Sequence, residues 1–280
     1  MNKNLGEITE YRGVEGLVAA RVLVDDNESG EGHGYLTGDV FSIAGVAEIS
    51  RTTESSNESH YYDNMPAIVI SSTGADEVTI TASAIPFDVL AEITGQNYDS
   101  ETGALIEGPR ETRYFALGYK TKKTNGDEVY VWRYKGTFNI PDSTHATEND
   151  GTDANGQELT YTGISTTHKF TKTGKGAKAL NVDLGKNLAD VSTFFDEVTT
   201  PDTLQAKAKY NLAVTAASGT TVTVKRNGAT VTPGTNVLSA GDVITVTCTG
   251  GTMTLNGEAF TSGNTHTVAA NVTIASTAQG

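Results

Sequence analysis

The chain has 280 residues, of which 37% are hydrophobic, with a formal net charge of −14 and a pI of about 4.7. Hydrophobic content below the usual ~45–50%, with abundant Thr, Ser, Gly, Asn and Asp, favours a β-rich protein with many turns over a helical one. The negative charge argues against tight binding to nucleic-acid phosphates, since that affinity comes from Lys and Arg, but it suits a surface that DNA passes without sticking.

Neither a disulfide nor a membrane span is expected. The single cysteine, Cys248, has no intrachain partner and so implies no oxidising compartment. No apolar run reaches the ~18 residues of a transmembrane helix. The first twelve residues are polar and lack the apolar core of a signal peptide, so we expect synthesis in the cytoplasm.

The first third of the chain predicts four strands and one long loop. Apolar residues dominate 17–24, residues 39–50 alternate loosely, 65–71 contain Pro-Ala-Ile-Val-Ile, and 77–84 alternate Val, Ile and Ala with Thr and Ser. Residues 51–64 are polar with no apolar period, which predicts an exposed loop. Loops of that length inside a compact domain are usually functional or disordered.

One convincing helix follows. Pro86 suits a first helical turn, Val89, Leu90 and Ile93 form an apolar stripe, and Gly95 marks the end. At about two and a half turns the helix must pack on a sheet, because isolated helices of that length are marginal in water. A further short helical turn is predicted within 189–198.

The strongest local signal is Asn125-Gly126, which predicts a type I′ hairpin with a two-residue loop. In that register Tyr119 faces Trp132 and Leu117 faces Tyr134, so most of the aromatic residues of this hairpin would share one face of the sheet. Such cross-strand pairs stabilise a register by roughly 0.2–1 kcal/mol each. We therefore expect a central ribbon of the sheet, without a catalytic arrangement, defined by Tyr119, Asn125, Gly126, Trp132 and Tyr134.

A change of composition near Pro201 predicts two domains, 1–202 and 203–280. From Thr203 onward four basic residues outnumber two acidic ones, so this segment carries +2 and the first 202 residues carry −16 of the total −14. Short strands at roughly ten-residue spacing, separated by turn signals, predict a small β-sandwich in the second domain.

Candidate catalytic or metal-binding groups are sparse. No two of the five His are spaced for a shared metal, none neighbours a Cys, and no Gly-x-Ser-x-Gly elbow occurs. Cys248 lies in an alternating strand and is expected to be a small buried side chain. We expect no enzyme, no metal and no cofactor. One basic cluster is open to two interpretations, a solvated turn or a contact patch for an acidic neighbour: Lys169, Lys172, Lys175 and Lys178.

Several segments of the first 200 residues carry a resemblance to a known family. They are Gly-Leu-Val-Ala-Ala at 16–20, Tyr-Leu-Thr-Gly-Asp-Val at 35–40, Tyr-Tyr-Asp-Asn-Met-Pro at 61–66 and the hairpin ending in Lys-Gly-Thr-Phe at 135–138. Over roughly residues 5–201 the chain resembles the major tail (tail tube) proteins of long-tailed, non-contractile bacteriophages. The C-terminal segment resembles the immunoglobulin-like add-on domains of some of these proteins, although the inter-sheet Cys pair of antibody domains is absent.

The resemblance implies a mainly β fold: a tail-tube-type β-sandwich or half-barrel with one flanking α-helix, then a small immunoglobulin-like sandwich. It implies six copies in a ring, rings stacked into a tube, and a location in the virion tail. The implied partners are copies of the chain itself, a tape-measure protein and tail-end proteins. Viral DNA would pass without specific binding, the C-terminal domain would touch the host surface weakly, and no membrane would be bound.

Two sets of residues are hypothesised to serve that assembly. Acidic side chains near the lumen are Glu48, Glu54 and Glu77. The loop between rings would comprise Arg51, Glu54, Glu58, Tyr61, Tyr62 and Asp63. A chain ending at Thr200 is expected to assemble still.

Two other functions compete with this one. A two-domain carbohydrate-binding or adhesion protein would use exposed aromatics such as Tyr61, Tyr62 and Tyr98. A β-rich hydrolase would use paired carboxylates, but nothing in the sequence singles out a pair.

Overall fold

The structure is a computed structural model that describes residues 8–62, 64–145 and 156–279. Asp63, one of the hypothesised loop residues, lies outside the described residues. The chain divides into two compact units. Unit 1 comprises Met1–Gly185 and Val191–Leu204, and unit 2 comprises Lys186–Asp190 and Gln205–Gly280.

The described residues of unit 1 form eleven strands and one α-helix, and a 3-10 turn begins in unit 1 and ends at Lys186, the first residue of unit 2. The elements are β1 (Tyr11–Asp25), β2 (Tyr35–Ser42), β3 (Val46–Tyr62), β4 (Met65–Ala82), α1 (Phe87–Thr94), β5 (Asn97–Asp99), β6 (Ala104–Ile106), β7 (Phe115–Lys123), β8 (Glu128–Phe138), β9 (Asp142–Ser143), β10 (Gln157–Ile164), β11 (Ala179–Asp183) and the 3-10 turn Leu184–Lys186.

Those of unit 2 form nine strands: β12 (Lys209–Thr215), β13 (Thr221–Arg226), β14 (Ala229–Thr230), β15 (Gly234–Ser239), β16 (Val243–Thr249), β17 (Gly251–Leu255), β18 (Glu258–Phe260), β19 (Thr265–Thr267) and β20 (Val272–Ala278).

One antiparallel sheet organises unit 1. Its order among the described strands is β2-β1-β7-β8-β10-β4-β3, with β11 also on β8 and β9 also on β10. The core lies on one face of this sheet, where side chains such as Leu17, Ile80 and Leu117 pack together with Leu90 and Ile93 of α1. The expected mainly β architecture with a flanking helix is confirmed.

The helix begins and ends as the sequence predicted. Pro86 is the N-cap and Gly95 the C-cap, with φ 71° in the left-handed region. Gly95 is required for a second reason: a Cβ there would lie 2.0 Å from the carbonyl oxygen of Glu111. The helical turn predicted within 189–198 is instead a run of turns.

The predicted type I′ turn and its register are wrong. Lys123 N–H donates to Asp127 O and Gly126 N–H donates to Lys123 O, which makes a three-residue loop whose single left-handed position is Gly126, φ 90°. Tyr119 therefore faces Val131, and Gly118 faces Trp132. Because side chains alternate between faces, the shift of one residue moves Tyr130, Trp132 and Tyr134 to the opposite side of the sheet.

The shift explains how the central hairpin is buried on both faces. Tyr119, Val129 and Val131 belong to the main core. On the other face Trp132 donates its indole N–H to Phe194 O at 2.8 Å and packs against Phe195. The aromatic residues of the central hairpin thus lie on both faces of the sheet. Trp132 is fully buried between the sheet and the turn that carries Phe194.

The exposed loop predicted over 51–64 is also wrong. Residues 51–62 belong to β3, which pairs with β4 from Val46↔Ala82 out to Tyr62↔Met65. The two strands predicted at 65–71 and 77–84 are one strand, β4. Apolar and polar residues alternate in a strand when one of its faces is buried. A strand that is exposed on both faces lacks this alternation, so the sequence does not reveal it.

Unit 2 contains two sheets around one core. The described strands order as β15-β12-β20-β17-β18 and β14-β13-β16-β19. Side chains from both sheets, including Leu212, Val224, Ile244 and Ile274, form the apolar cluster between them. Cys248 is buried in this cluster, as expected for a small packing side chain. The two sheets form the β-sandwich that the spacing of the turn signals predicted.

Candidate assembly surface on the long hairpin

The hairpin of β3 and β4 extends well past the rest of its sheet. β10 pairs with β4 only from Gln157↔Ala82 to Gly163↔Asp76. Beyond that point β3 and β4 pair only with each other among the described strands. We call residues 55–62 and 65–73 the hairpin arm. At about 3.3 Å per residue, eight residue pairs carry its end roughly 25 Å from the sheet.

The two faces of the hairpin arm differ. Directly paired residues point to the same side of an antiparallel ribbon, and the Ser56 and Ser72 hydroxyls, 2.7 Å apart, show this. The polar face carries Ser55, Asn57, Ser59, Val69, Ser71 and Thr73. The apolar face carries Ser56, Glu58, His60, Ile68, Ile70 and Ser72.

Apolar side chains of the hairpin arm are exposed to solvent. Ile68 is 51% and Ile70 54% exposed, while Tyr61, Tyr62 and Met65 at the end of the arm are 60–67% exposed. None of the five belongs to the core cluster of unit 1. A two-stranded hairpin is marginally stable by itself in water, and contiguous exposed apolar groups mark an interaction surface. The apolar face is therefore a candidate interaction surface.

The solvent face of the sheet next to the arm consists of Ser, Thr and Glu. Strand pairing aligns nine side chains in three rows across β3, β4 and β10: Glu48–Thr81–Glu158, Ser50–Thr79–Thr160 and Thr52–Glu77–Thr162. We call these nine residues the Ser/Thr/Glu face. It presents three carboxylates without a Lys, an Arg or a large apolar side chain, and it lies beside the base of the arm.

The structure places the three hypothesised lumen carboxylates on one side of the sheet. Glu48 and Glu77 lie on the Ser/Thr/Glu face. Glu54 lies at a register shift between Thr53 and Ser55, over Gly74, where a Cβ would be 2.6 Å from Glu54 Oε2. The extra residue at this shift belongs to β4, since Gly74 and Ala75 together oppose Glu54, so Glu54 keeps the alternation of β3 and lies on the same side as Ser50 and Thr52.

Glu158 completes the face and was not among the hypothesised residues. Residues 157–163 alternate Gln, Leu, Tyr and Gly with Glu and Thr, so the alternation itself places Glu158 on the solvent side. The sequence does not show which strand lies beside β4. That neighbour is β10, and the paired residues Thr81 and Glu158 are 77 positions apart in the chain.

Asp76 anchors the base of the arm. Its carboxylate accepts from Arg133 NH1 at 2.9 Å and from Lys178 Nζ at 3.1 Å, with Arg51 NH1 3.7 Å away. Burial raises the pKa of Asp76, but hydrogen bonds from Lys178 and Thr53 and the charges of Lys178 and Arg133 outweigh it, so the pKa is lowered. Lys178, from the basic cluster, thus serves a structural contact.

The remaining candidate groups do not converge. Tyr61 and Tyr62 end the hairpin arm, whereas Tyr98 lies on β5. The described residues hold no group of three His, Cys, Asp or Glu side chains that could bind a metal ion. Among them, too, no helix has the length and apolar character needed to cross a bilayer.

Comparison with protein families identifies the chain. Residues 40–200, more than half of it, match the family model described as phage tail tube protein. The chain belongs to the phage tail tube protein family. It is therefore a structural component of a bacteriophage virion tail, and tail tube proteins assemble with their own copies into tubes. Comparison with curated proteins gives no match.

Family membership bears on the exposed hairpin arm, because it indicates which molecules are available to contact it. The matched residues include β3, β4, α1, the central hairpin and β10, so both the arm and the Ser/Thr/Glu face belong to the tail tube part of the chain. In a protein that assembles into tubes, copies of the same chain are available to cover an apolar face.

Proposed function

We propose that the chain closes into rings of six copies and that the rings stack into a tail tube whose bore is lined by the Ser/Thr/Glu face. The observation that carries the proposal is the two-sided arm. Its apolar face lacks a cover within the described chain, and the sheet beside its base presents the hydroxyls and carboxylates of the Ser/Thr/Glu face. An arrangement with the apolar face of the arm against neighbouring copies and the Ser/Thr/Glu face toward the bore accommodates both surfaces.

The contacts between copies are heterologous in this arrangement. The hairpin arm of one copy covers a different surface of the next, and a heterologous contact closes into a ring when its rotation divides a full turn. The residues hypothesised for contacts between rings, Arg51, Glu54, Glu58, Tyr61 and Tyr62, all lie on β3, so we assign that role to a strand instead of a loop.

Electron microscopy of the concentrated purified protein tests the assembly. Rings with sixfold symmetry and stacked tubes are expected. A chain that stays monomeric across protein and salt concentrations contradicts the proposal.

The Ser/Thr/Glu face is proposed to let DNA pass without retention. Carboxylates repel phosphates, and the hydroxyls carry no charge that would hold them. A triple variant, Glu48→Lys/Glu77→Lys/Glu158→Lys, should make tubes that retain short duplex DNA at low salt and release it as salt is raised. Retention is measured by co-sedimentation of labelled duplex with the tubes.

A matched control keeps the same change of charge away from the face. Glu31→Lys/Glu101→Lys/Glu107→Lys replaces three exposed carboxylates on other elements of unit 1. If both triple variants retain DNA equally, the Ser/Thr/Glu face has no special relation to the bore.

Unit 2 is proposed to be an immunoglobulin-like add-on domain that tube assembly does not need. The two-sheet sandwich supports this assignment, while a weak contact with the host surface rests on the family resemblance alone. The same holds for a tape-measure protein and tail-end proteins as partners of the tube.

The truncation that tests unit 2 should end at Leu204 instead of Thr200. Asp202 accepts from the backbone N–H groups of Thr171 and Lys172 at 2.7 and 2.8 Å, so residues just past Thr200 hold unit 1 together. A chain ending at Leu204 is expected to form tubes. Loss of tubes, with unit 1 still folded by circular dichroism, would make unit 2 part of the assembly.

A further inference from the structure

A cavity of about 310 Å³ lies in unit 1, on the core-facing side of the sheet and next to the base of the hairpin arm. Its apolar lining comes from Val14, Ile49, Val129 and Val131. Its mouth is open to solvent, since Tyr11 and Arg51, which also line it, are both exposed. The volume is at the lower end of the ~300–1,000 Å³ of ligand sites, enough for one large side chain.

Two guanidinium groups line the same cavity. Arg133 is 5% exposed, its NH1 donates to Asp76, and its Nε is buried without a hydrogen-bond partner among the described atoms. Arg51 lies at the mouth, with NH1 donating to Thr53 Oγ1 at 3.2 Å. A buried donor without an acceptor costs about 1–3 kcal/mol. The cavity thus combines an apolar wall with a missing oxygen acceptor.

We propose that this cavity is a socket for a tyrosine ring, Tyr61 or Tyr62, from the hairpin arm of a second copy of the chain. The inference rests on the proposed function, because it requires that copies assemble. A phenol matches the lining: the ring covers the valine and isoleucine side chains, and its hydroxyl oxygen accepts from a guanidinium. The aromatic face also attracts Arg51 at the mouth by a cation–π interaction.

The occupant must come from another copy. Arg51 lies at the base of the hairpin, opposite Val78, while Tyr62 lies at its end, opposite Met65. Eleven residues of paired strand separate them, roughly 35 Å at about 3.3 Å per residue. A continuous hairpin cannot return its end to its own base. An apolar tip and a separate socket on one chain make a heterologous contact, the kind that builds rings or open stacks.

Cysteine cross-linking of the full-length protein tests the contact. Tyr62→Cys is paired with Asn181→Cys, an exposed residue that lines the cavity, and Tyr61→Cys/Asn181→Cys is made in parallel. At assembling concentration, a short bis-maleimide should convert at least one of these variants into a ladder of covalent oligomers on denaturing gels. Each single-cysteine variant should stay monomeric on the same gel. Cys248 is buried and present in every sample.

The control pairs the same arm residues with a cysteine on the other side of the sheet. Thr162→Cys lies on the Ser/Thr/Glu face, and its pairs with Tyr61→Cys and Tyr62→Cys should give several-fold less cross-linked product. If the Thr162 pairs cross-link as well as the Asn181 pairs, or if no Asn181 pair cross-links, the socket is wrong.

Electron microscopy of the same samples separates the two proposals. Tubes without an Asn181 cross-link overturn the socket and leave the proposed function standing. Absence of tubes, rings and cross-links overturns both. The variant Tyr61→Phe/Tyr62→Phe distinguishes the contribution of the aromatic ring from that of the hydroxyl group. It should weaken assembly less than Tyr61→Ala/Tyr62→Ala does. An equal loss of assembly in the two variants would contradict insertion of the ring.

Discussion

The central hairpin of β7 and β8 and the long hairpin of β3 and β4 belong to one sheet, yet they have opposite surroundings. The central hairpin is buried on both faces, by the main core on one side and by Phe194 and Phe195 on the other. The hairpin arm is open on both faces, with its isoleucines about half exposed. One hairpin carries the core of the subunit, and the other exposes apolar side chains that no described residue covers.

Side-chain size accounts for this difference. Large aromatic and β-branched residues alternate on both sides of the central hairpin, so two layers must pack against it. In the hairpin arm the β3 residues before the two tyrosines are polar, and the apolar residues lie on β4 and at the end of the arm. Substitutions in the first should therefore change the stability of the subunit, and those in the second should change assembly.

The largest expected effect is on subunit stability. Phe115→Ala removes a fully buried ring from the start of β7, and comparable Phe→Ala changes cost about 3–5 kcal/mol. We expect a loss of that size in the free energy of unfolding of unit 1, measured by denaturant titration with the fluorescence of Trp132. A loss below about 1 kcal/mol would show that the central hairpin does not carry the core.

The next effect is on assembly alone. Ile68→Ser/Ile70→Ser removes the two apolar groups from the arm. Each is about half exposed, so covering the rest contributes about half of ~1.5–3 kcal/mol, or about 1.5–3 kcal/mol for both. The concentration needed for assembly should rise about 10- to 100-fold, measured by sedimentation.

Two controls accompany the assembly measurement. The free energy of unfolding of the subunit should stay within about 0.5 kcal/mol of the unchanged protein, as for surface substitutions generally. Val69→Ser, on the polar face of the arm, should leave assembly nearly unchanged. Equal effects from both faces would contradict the two-sided arm.

Acid should weaken the sheet through its buried carboxylates. Burial raises the pKa of Asp25, but hydrogen bonds from Lys135, Thr167 and His168 outweigh it, so its pKa, like that of Asp76, lies below the ordinary 3.8. Their stabilisation is complete above pH 3.8 and is lost as the pH falls through the lower folded-state values. Each unit of lowering is worth about 1.4 kcal/mol.

The measurement is the free energy of unfolding of unit 1 between pH 6 and pH 2, which should fall as the pH drops below about 4. Asp25→Asn, which removes one of the two carboxylates, should reduce the slope. An increase of stability on acidification would reverse the expected sign.

The smallest effect concerns the two turns. Gly126→Ala places a Cβ where the backbone has φ 90° but meets no atom within 4 Å, so only backbone strain is added, about 1 kcal/mol. Asn64→Ala, at φ 62° in the turn of the arm, should change the unfolding of the subunit by less than about 0.5 kcal/mol. Equal losses would mean that the arm folds as part of the core.

Prediction from sequence succeeded where the residue types in a short segment are compatible with a single local structure. Pro86 and Gly95 bound the helix because each satisfies a position that few other residues can occupy. Asn125-Gly126 correctly predicted a turn, but two loops of different length both use Gly126, and packing of Trp132 against Phe194 and Phe195 accompanies the three-residue loop. Residues 51–62 were missed as strand because their pairing partner β4, and not an apolar period, makes them extended.

The sequence by itself determined that the chain is β-rich, acidic and built on a central aromatic hairpin, because composition and alternation are local properties. Only the tertiary structure decided which faces meet. It turned the aromatic residues of the central hairpin into two layers, placed Glu158 on the same face as Glu48 and Glu77, and left Ile68 and Ile70 uncovered. The physical reason is that a strand's neighbours are selected by pairing across many residues of chain, and a shift of a single residue exchanges every side chain between core and solvent.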